Sequence, residues 1–357
     1  MFCCFLVVVR VAFDYAKAKK QQSKYDSLPL KARFRPQTLA FRFPCLLLWY
    51  TVRLCVIPIV VSIAKLFGWS RRDLLVSFFR KMAAGHAKAQ HDALAALSPR
   101  AGDIWVCSYM KNGTNFTLQA VSQVIRHGAM DYKHIHEICP WPEMEAKVPP
   151  GWSIRYADAP AAGCLRAVKT HANFDRLPQG PGLKYVLMVR NPKSTCISAW
   201  HFSASVALGV ACPSLADFVD IFIDGSMAGE SWAEVVASYW TARTRSDCLL
   251  LFYEDMCDHL QLCIEKIADH VGVRLTDLEL QSCIAHSTFA FMKQHQSCFV
   301  AGAFSPLSTG GIMIRAGSSN RGGELTQGQR RRIDEAMERK LLQLGSDFPY
   351  DRYKEPS

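Results

Sequence analysis

The stretch that decides the fold is Asp103–Phe116, D-I-W-V-C-S-Y-M-K-N-G-T-N-F. Ile104, Trp105, Val106 and Tyr109 give its first half the β-forming character of a buried strand. Lys111, Asn112, Gly113, Thr114 and Asn115 make the second half small, polar and basic. Phe116, Leu118, Ala120, Val121, Val124 and Ile125 then recur at spacings near 3.6, which predicts a helix ending around His127–Gly128. A strand, a glycine turn and a helix N-terminus aim backbone N–H groups and a positive dipole end at one point, and a lysine beside them suits a phosphate-like anion. The pattern is not G-x-x-x-x-G-K-[ST], because Lys111 precedes the glycine.

Outward from this stretch the same unit recurs. Leu165–Val168 reads as a short strand ending in Lys169, Thr170 and His171. Lys184–Val189 is a near-continuous apolar run of the kind buried in parallel sheets, and it ends at Arg190. Pro192 suits the first turn of the next helix, which carries Ser198. Cys248–Tyr253 gives a further strand, followed by a helix through Ile264–Val271. Strand C-termini therefore present Lys111, His171 and Arg190 in turn, and ligands of open α/β sheets bind at that edge. The expected fold is α/β, a central parallel sheet flanked by helices, over residues 70–350. Ser70–Ala96 reads as an amphipathic helix leading in, and Gln327–Leu344 as a charged helix near the end. Cys139–Trp152 reads as an exposed loop, and its Trp141, Pro142, Met144 and Trp152 as the wall of an apolar mouth.

The 357 residues are 50% hydrophobic, enough for a large core, and carry a formal net charge of +11. That charge suits acidic partners, but no zinc-finger spacing, basic–aromatic motif or long basic helix points to nucleic acid. The fourteen cysteines are scattered without a disulfide frame or zinc-ligand spacing and read as free thiols. Residues 1–42 form a basic N-terminal segment. Residues 43–67 are apolar over a membrane-spanning length, interrupted by Arg53, Pro58 and Lys65. A central Arg costs roughly 3 kcal/mol and each Leu, Ile, Val or Phe returns about 0.3–0.6, so insertion balances or is favoured. A single-pass helix is expected, with a helix lying on the membrane as the alternative. Basic residues on both sides, Arg71 and Arg72 among them, leave the cytoplasmic face and the Golgi lumen both open.

Taken together, these motifs resemble the sulfotransferases that use 3′-phosphoadenosine 5′-phosphosulfate (PAPS), the cytosolic type above all. Lys111, Gly113 and Thr114 match the family's phosphosulfate loop Y-P-K-S-G-T-T-W, with Asn112, Asn115 and Phe116 at its other positions. Val168–His171 followed by Leu177–Pro178 is similar to K-T-H-L-P, which holds the catalytic histidine. Arg190 and Ser198 fall on the arginine and serine of the 3′-phosphate motif. Tyr253 and the run Ser287, Thr288, Phe289, Met292 match adenine-holding positions, and Arg315 and Gly317 match the ends of R-K-G. Met110 stands for the loop proline and Ala316 for the R-K-G lysine, departures that bear on donor affinity more than on chemistry.

The resemblance implies in-line transfer of a sulfuryl group from PAPS to a hydroxyl or amine of a small apolar alcohol or phenol, without a metal, leaving adenosine 3′,5′-bisphosphate (PAP). It implies His171 as general base, since an imidazole with an ordinary pKa near 6.5 suits that task. Lys111 and the amides of residues 112–115 would neutralise the developing charge, with Lys169 as a second cation. Two other readings are open: a membrane-tethered PAP- or PAPS-binding protein without activity, and a nucleotide kinase, which the missing Walker loop disfavours.

Overall fold

The computed structural model describes residues 47–95, 99–144, 165–227, 229–299, 314 and 322–354. Four parallel strands form its centre: β1 (Asp103–Ser108), β2 (Arg166–Thr170), β3 (Lys184–Val189) and β4 (Cys248–Phe252). Their order is β2-β1-β3-β4. The connection leaving β1 runs to one side and the connection leaving β3 to the other. The topological switch therefore lies between the C-terminal ends of β1 and β3, where an open α/β sheet leaves a crevice.

All strand residues of β1 are buried, and their alternation divides the core. Trp105 and Cys107 face one apolar cluster, shared with Tyr185, Leu187 and Val189 of β3; Ile104 and Val106 face the other, shared with Val186 and Met188. The first cluster is closed by the helices α4 (Pro192–Phe202), α5 (Leu215–Asp224), α6 (Trp232–Ala242) and α11 (Gln327–Gln343). The second is closed by α3 (Thr114–Ile125), α8 (Leu260–Val271) and α9 (Asp277–Ser287). A sheet covered on both faces explains why its strands read as continuous apolar runs.

Boundaries differ from the expected ones where a polar residue sits inside the sheet. β2 extends through Lys169 and Thr170, because Val106 and Cys107 pair with them. Tyr253 does not end β4 but begins the short helix α7 (Tyr253–Asp258). α3 stops at Ile125, with His127 and Gly128 both at positive φ. Residues 139–143 are not an exposed loop: Cys139 and Glu143 are buried, and Pro142–Met144 forms a 3₁₀ turn. Within that segment Trp141 packs over Lys169 at the end of β2, and Cys139 joins the second core cluster.

The helix α1 (Leu47–Leu66) is long and apolar enough to cross a membrane, and none of its apolar window is buried. Residues 1–42, and residues 43–46 of the expected membrane segment, lie outside the described residues. α2 (Arg71–Ala95) follows and is fastened to α5 by Arg72–Asp220 and Arg80–Asp224 ion pairs.

Candidate active site at the C-terminal edge of the sheet

The turn after β1 is shaped by two left-handed residues, Lys111 (φ 68°) and Gly113 (φ 99°). Glycine is required at 113. A Cβ there would come within 2.5 Å of the Tyr253 ring, and φ is forbidding for a side chain besides. Gly113 is also the N-cap of α3 and offers no side chain to its first-turn N–H groups. The lysine is strained for the same reason, a conformation that concentrates at functional sites.

The turn after β3 is locked to this loop. Asn191 caps α4 by accepting from Lys193 N (2.9 Å), with Pro192 at the first helical position. Arg190 donates to the Lys111 carbonyl (3.0 Å), Thr195 Oγ1 donates to Asn112 Oδ1 (2.7 Å), and Trp232 Nε1 holds the Arg190 carbonyl (3.0 Å). The Arg190 guanidinium lies 4.0 Å from the Tyr253 ring, which in turn meets Phe116 edge-on at 6.1 Å.

β2 delivers Lys169 and His171. Lys169 is 4% exposed; its Nζ donates to Asn115 Oδ1 (3.0 Å) and lies 3.5 Å from the Trp141 ring centre. Lys111 Nζ lies 4.4 Å from the Phe202 ring. Among the described residues no carboxylate pairs with Lys111, Lys169 or Arg190. Burial, and after it the Arg190 charge, pulls Lys111 down to about 8. Burial and then Lys111 pull Lys169 down to about 7, against the opposing charge of Glu143. His171 Nδ1 lies 2.9 Å from the Ser108 carbonyl, which can only accept; the neutral ring therefore carries Nδ1–H and keeps its basic lone pair on Nε2.

The expected residues divide into those that face the crevice and those that brace it. Thr114 is 5% exposed and shares its hydroxyl with Ser108 (2.5 Å). Asn115 is a brace, accepting from Lys169 and donating to the Phe299 carbonyl (3.1 Å). Ser198 lies half-buried on α4. Ser287 is fully buried at the end of α9. Thr288 caps α10 (Phe289–Gln294) by accepting from Phe291 N (3.2 Å), while Met292 and the partly buried Phe116 share the second core cluster. Arg315, Gly317 and Trp152 lie outside the described residues.

Sequence reasoning missed three participants. Ser108, Thr195 and Glu143 do their work through contacts between elements, and nothing in the local sequence of Ser108 or Thr195 marks them. The acid in P-W-P-E, an ionisable residue inside an apolar run, was the one available signal.

The donor set fits a nucleotide bearing phosphates. Asn112 Nδ2, Arg190 Nε and Ser287 Oγ are buried with no partner among the described residues, an arrangement that costs stability unless a ligand accepts from them. Three cations without acids, and a helix N-terminus without a capping side chain, supply the rest.

A sequence model of the sulfotransferase domain matches residues 101–345. Mouse sulfotransferase 6B1 is 28% identical over 268 residues, covering 73% of this chain and 84% of its own length. Mouse sulfotransferase 1A1 is 27% identical, covering 54% of this chain and 67% of its own. Among solved structures, retinol dehydratase with androsterone and the inactive cofactor PAP aligns at a TM-score of 0.60, with 19% identity over 75% of this chain and 88% of its own. Mouse sulfotransferase SULT7A1 complexed with PAP aligns at 0.55, with 21% identity over 72% and 89%.

Proposed function

Because the chain belongs to the sulfotransferase family, whose members take the sulfuryl group from PAPS, we propose that it sulfates a hydroxyl or amine of a small apolar alcohol or phenol, with His171 as general base. The observation that carries this reading is the gathering of His171, its tautomer set by Ser108, with two lysines that form no ion pair among the described residues, at the C-terminal edge of the sheet.

Bound PAPS supplies an electrophilic sulfur on a bisphosphate leaving group. Each residue then has a task. Lys111 and the N-terminal amides of α3 would hold the 5′ end and oppose the negative charge gathering on the leaving oxygen. Lys169 would face the sulfuryl oxygens. Arg190 and Ser198 would take the 3′-phosphate, and Tyr253, Phe116, Phe289 and Met292 the adenine. His171 Nε2 would accept the acceptor's hydroxyl proton as its oxygen bonds to sulfur, while Nδ1–H stays on the Ser108 carbonyl. Trp141, edge-on to His171 at 5.3 Å, gives the acceptor side an apolar wall. The structural neighbour retinol dehydratase has been solved with androsterone and with retinol, which supports a small apolar acceptor.

The membrane placement rests on α1. Its exposed apolar side chains continue past Trp69 into Phe78 (57% exposed) and Met82 (48% exposed) on α2, a face suited to lipid. The full chain in detergent is the material to test. PAP should raise its melting temperature, and labelled sulfate should pass to members of a phenol and sterol panel. His171→Ala should cut transfer by roughly 10²–10⁴-fold with PAP binding kept. Absence of any PAP shift would sink the donor assignment. Binding without transfer, unaltered by His171→Ala, would favour a non-catalytic nucleotide binder. Release of the full chain from membranes by alkaline carbonate would remove the spanning role of α1.

A further inference from the structure

Glu143 stands where a carboxylate is least expected. It is 6% exposed, beside an edge otherwise furnished with cations. One oxygen does all its visible bonding: Oε1 accepts from Thr170 Oγ1 (2.5 Å), from His171 N–H (3.0 Å) and from Gln90 Nε2 on α2 (3.3 Å). Thr170 Oγ1 accepts in turn from Ala172 N (3.1 Å), closing the bend that leaves β2. Oε2 is buried without a partner among the described residues. A neutral glutamine could accept the same three bonds, so the fold itself has no need of the charge, and burying a carboxylate costs several kcal/mol.

The charge has one evident use. Glu143 forms no ion pair within 4 Å of Lys169 among the described residues, yet it is hydrogen-bonded to the two residues that follow Lys169, close enough for its charge to oppose loss of that proton. A direct pair would cap Nζ and compete with an anionic ligand. A carboxylate held back by Thr170 and His171 opposes deprotonation and leaves Nζ available. We propose that Glu143 is a positioning residue for sulfuryl transfer: Oε1 fixes the Lys169–His171 strand end, and its charge keeps Lys169 an ammonium ready for the sulfate end of the donor. The inference rests on the PAPS reading of the site.

Other groups bear on the same balance. Lys111, His136 and His171 face Lys169 as cations or titratable rings, and Cys139 lies on its other side. Glu143 also acts on Cys107 and Tyr239, both held neutral by burial. Burial pushes the Glu143 carboxyl up as well, opposed by the bonds from Thr170 and His171 that favour the charged form. Of these, Glu143 is the acid whose charge opposes the loss of the Lys169 proton.

The test is proton uptake on PAPS binding to the full chain, measured calorimetrically in two buffers of different ionisation enthalpy. Wild type should take up protons as an anion recharges lysines held at about 7 and about 8. In Glu143→Gln the hydrogen bonds persist and the charge is gone. The onset of uptake should then move about half a unit or more to lower pH. Affinity should fall roughly three- to tenfold on the alkaline side and stay within about twofold below pH 6. Glu143→Asp, which keeps the charge, should follow the wild-type pH profile even where its melting temperature is lower. Superimposable uptake curves for wild type and Glu143→Gln, or an affinity loss equal at every pH, overturn the inference. A shifted Glu143→Asp profile overturns it too, and serves if Glu143→Gln does not fold. Wild type that binds no PAP would instead remove the donor reading beneath it.

Discussion

The two edges of the sheet bury cations in opposite company. At the N-terminal edge Arg166, 5% exposed, meets Asp103, fully buried, in a two-pronged contact with both bonds at 2.7 Å. At the C-terminal edge Lys169, 4% exposed, meets an amide oxygen and an indole face. Arg190, equally buried, meets a main-chain carbonyl and a phenol ring. Burial is the same and the desolvation penalty comparable; only the counter-charge differs. Lys193 makes the contrast on a single turn. It lies three residues beyond Arg190, is 3% exposed, and donates to Asp334 (2.6 Å) and the Tyr353 carbonyl (2.7 Å). Folding completes the charges that hold the chain together and leaves incomplete those that a ligand will complete.

The comparison breaks most easily at its paired side. Asp103→Ala strands Arg166 in the core, and removing one partner of a buried pair costs about 3–5 kcal/mol. Urea unfolding should show that loss, while PAP affinity per folded molecule stays unchanged. On the open side the expectation inverts. Lys111→Ala should lower kcat by roughly 10²–10³-fold, the scale of removing one donor to a developing charge. Its unfolding free energy should hold or rise, since a partly buried cation with no carboxylate partner among the described residues is removed, while alanine keeps the same left-handed backbone. A Lys111→Ala protein as destabilised as Asp103→Ala would erase the distinction.

The open side should also show in pH. Lys169 and Lys111 are held below the ordinary lysine value, so between about 7 and about 10.5 the unfolded chain binds more protons than the folded one. These groups therefore oppose folding fully below about 7, and the penalty lifts as pH rises through their folded values. Stability of the free protein should climb across that window on their account. PAP binding needs the charged Lys111 at its 5′-phosphate and should weaken over the same window. PAP at a hundredfold excess over Kd should add about 2.7 kcal/mol at neutral pH and measurably less at pH 9. Parallel slopes for the two quantities would mean that the lysines are not the groups that titrate.

How much of this could be read from residues alone follows the same division. β1 and β3 were legible because a sheet covered on both faces demands unbroken apolar runs. The crevice was legible because Lys111, His171 and Arg190 each end such a run. The family resemblance supplied the roles that spacing could not. What stayed hidden is whatever depends on a partner distant in sequence: Glu143 beneath His171, Thr195 on Asn112, and Asn115 spent on bracing Lys169. Tyr253 was assigned to the wrong element for a local reason. Its apolar ring suits either a strand end or a helix start, and only the following acids Glu254 and Asp255, in the first turn of α7, favour the helix.

The finest test concerns Asn112, which has a foot on each side of the comparison. Its Oδ1 is completed by the Thr195 hydroxyl, a contact internal to the fold, and its Nδ2 is buried without a partner among the described residues. Asn112→Ser, which installs the residue the family loop usually carries, removes both. Losing the Thr195 bond costs about 1 kcal/mol, and removing an unsatisfied buried donor returns about as much, so stability should move little. If Nδ2 is held for a phosphate oxygen, PAP affinity should drop by about tenfold, one charge-assisted hydrogen bond. An unchanged affinity with a clear fall in stability would place Asn112 wholly among the paired groups, and would narrow the open edge to its three cations and the amides of α3.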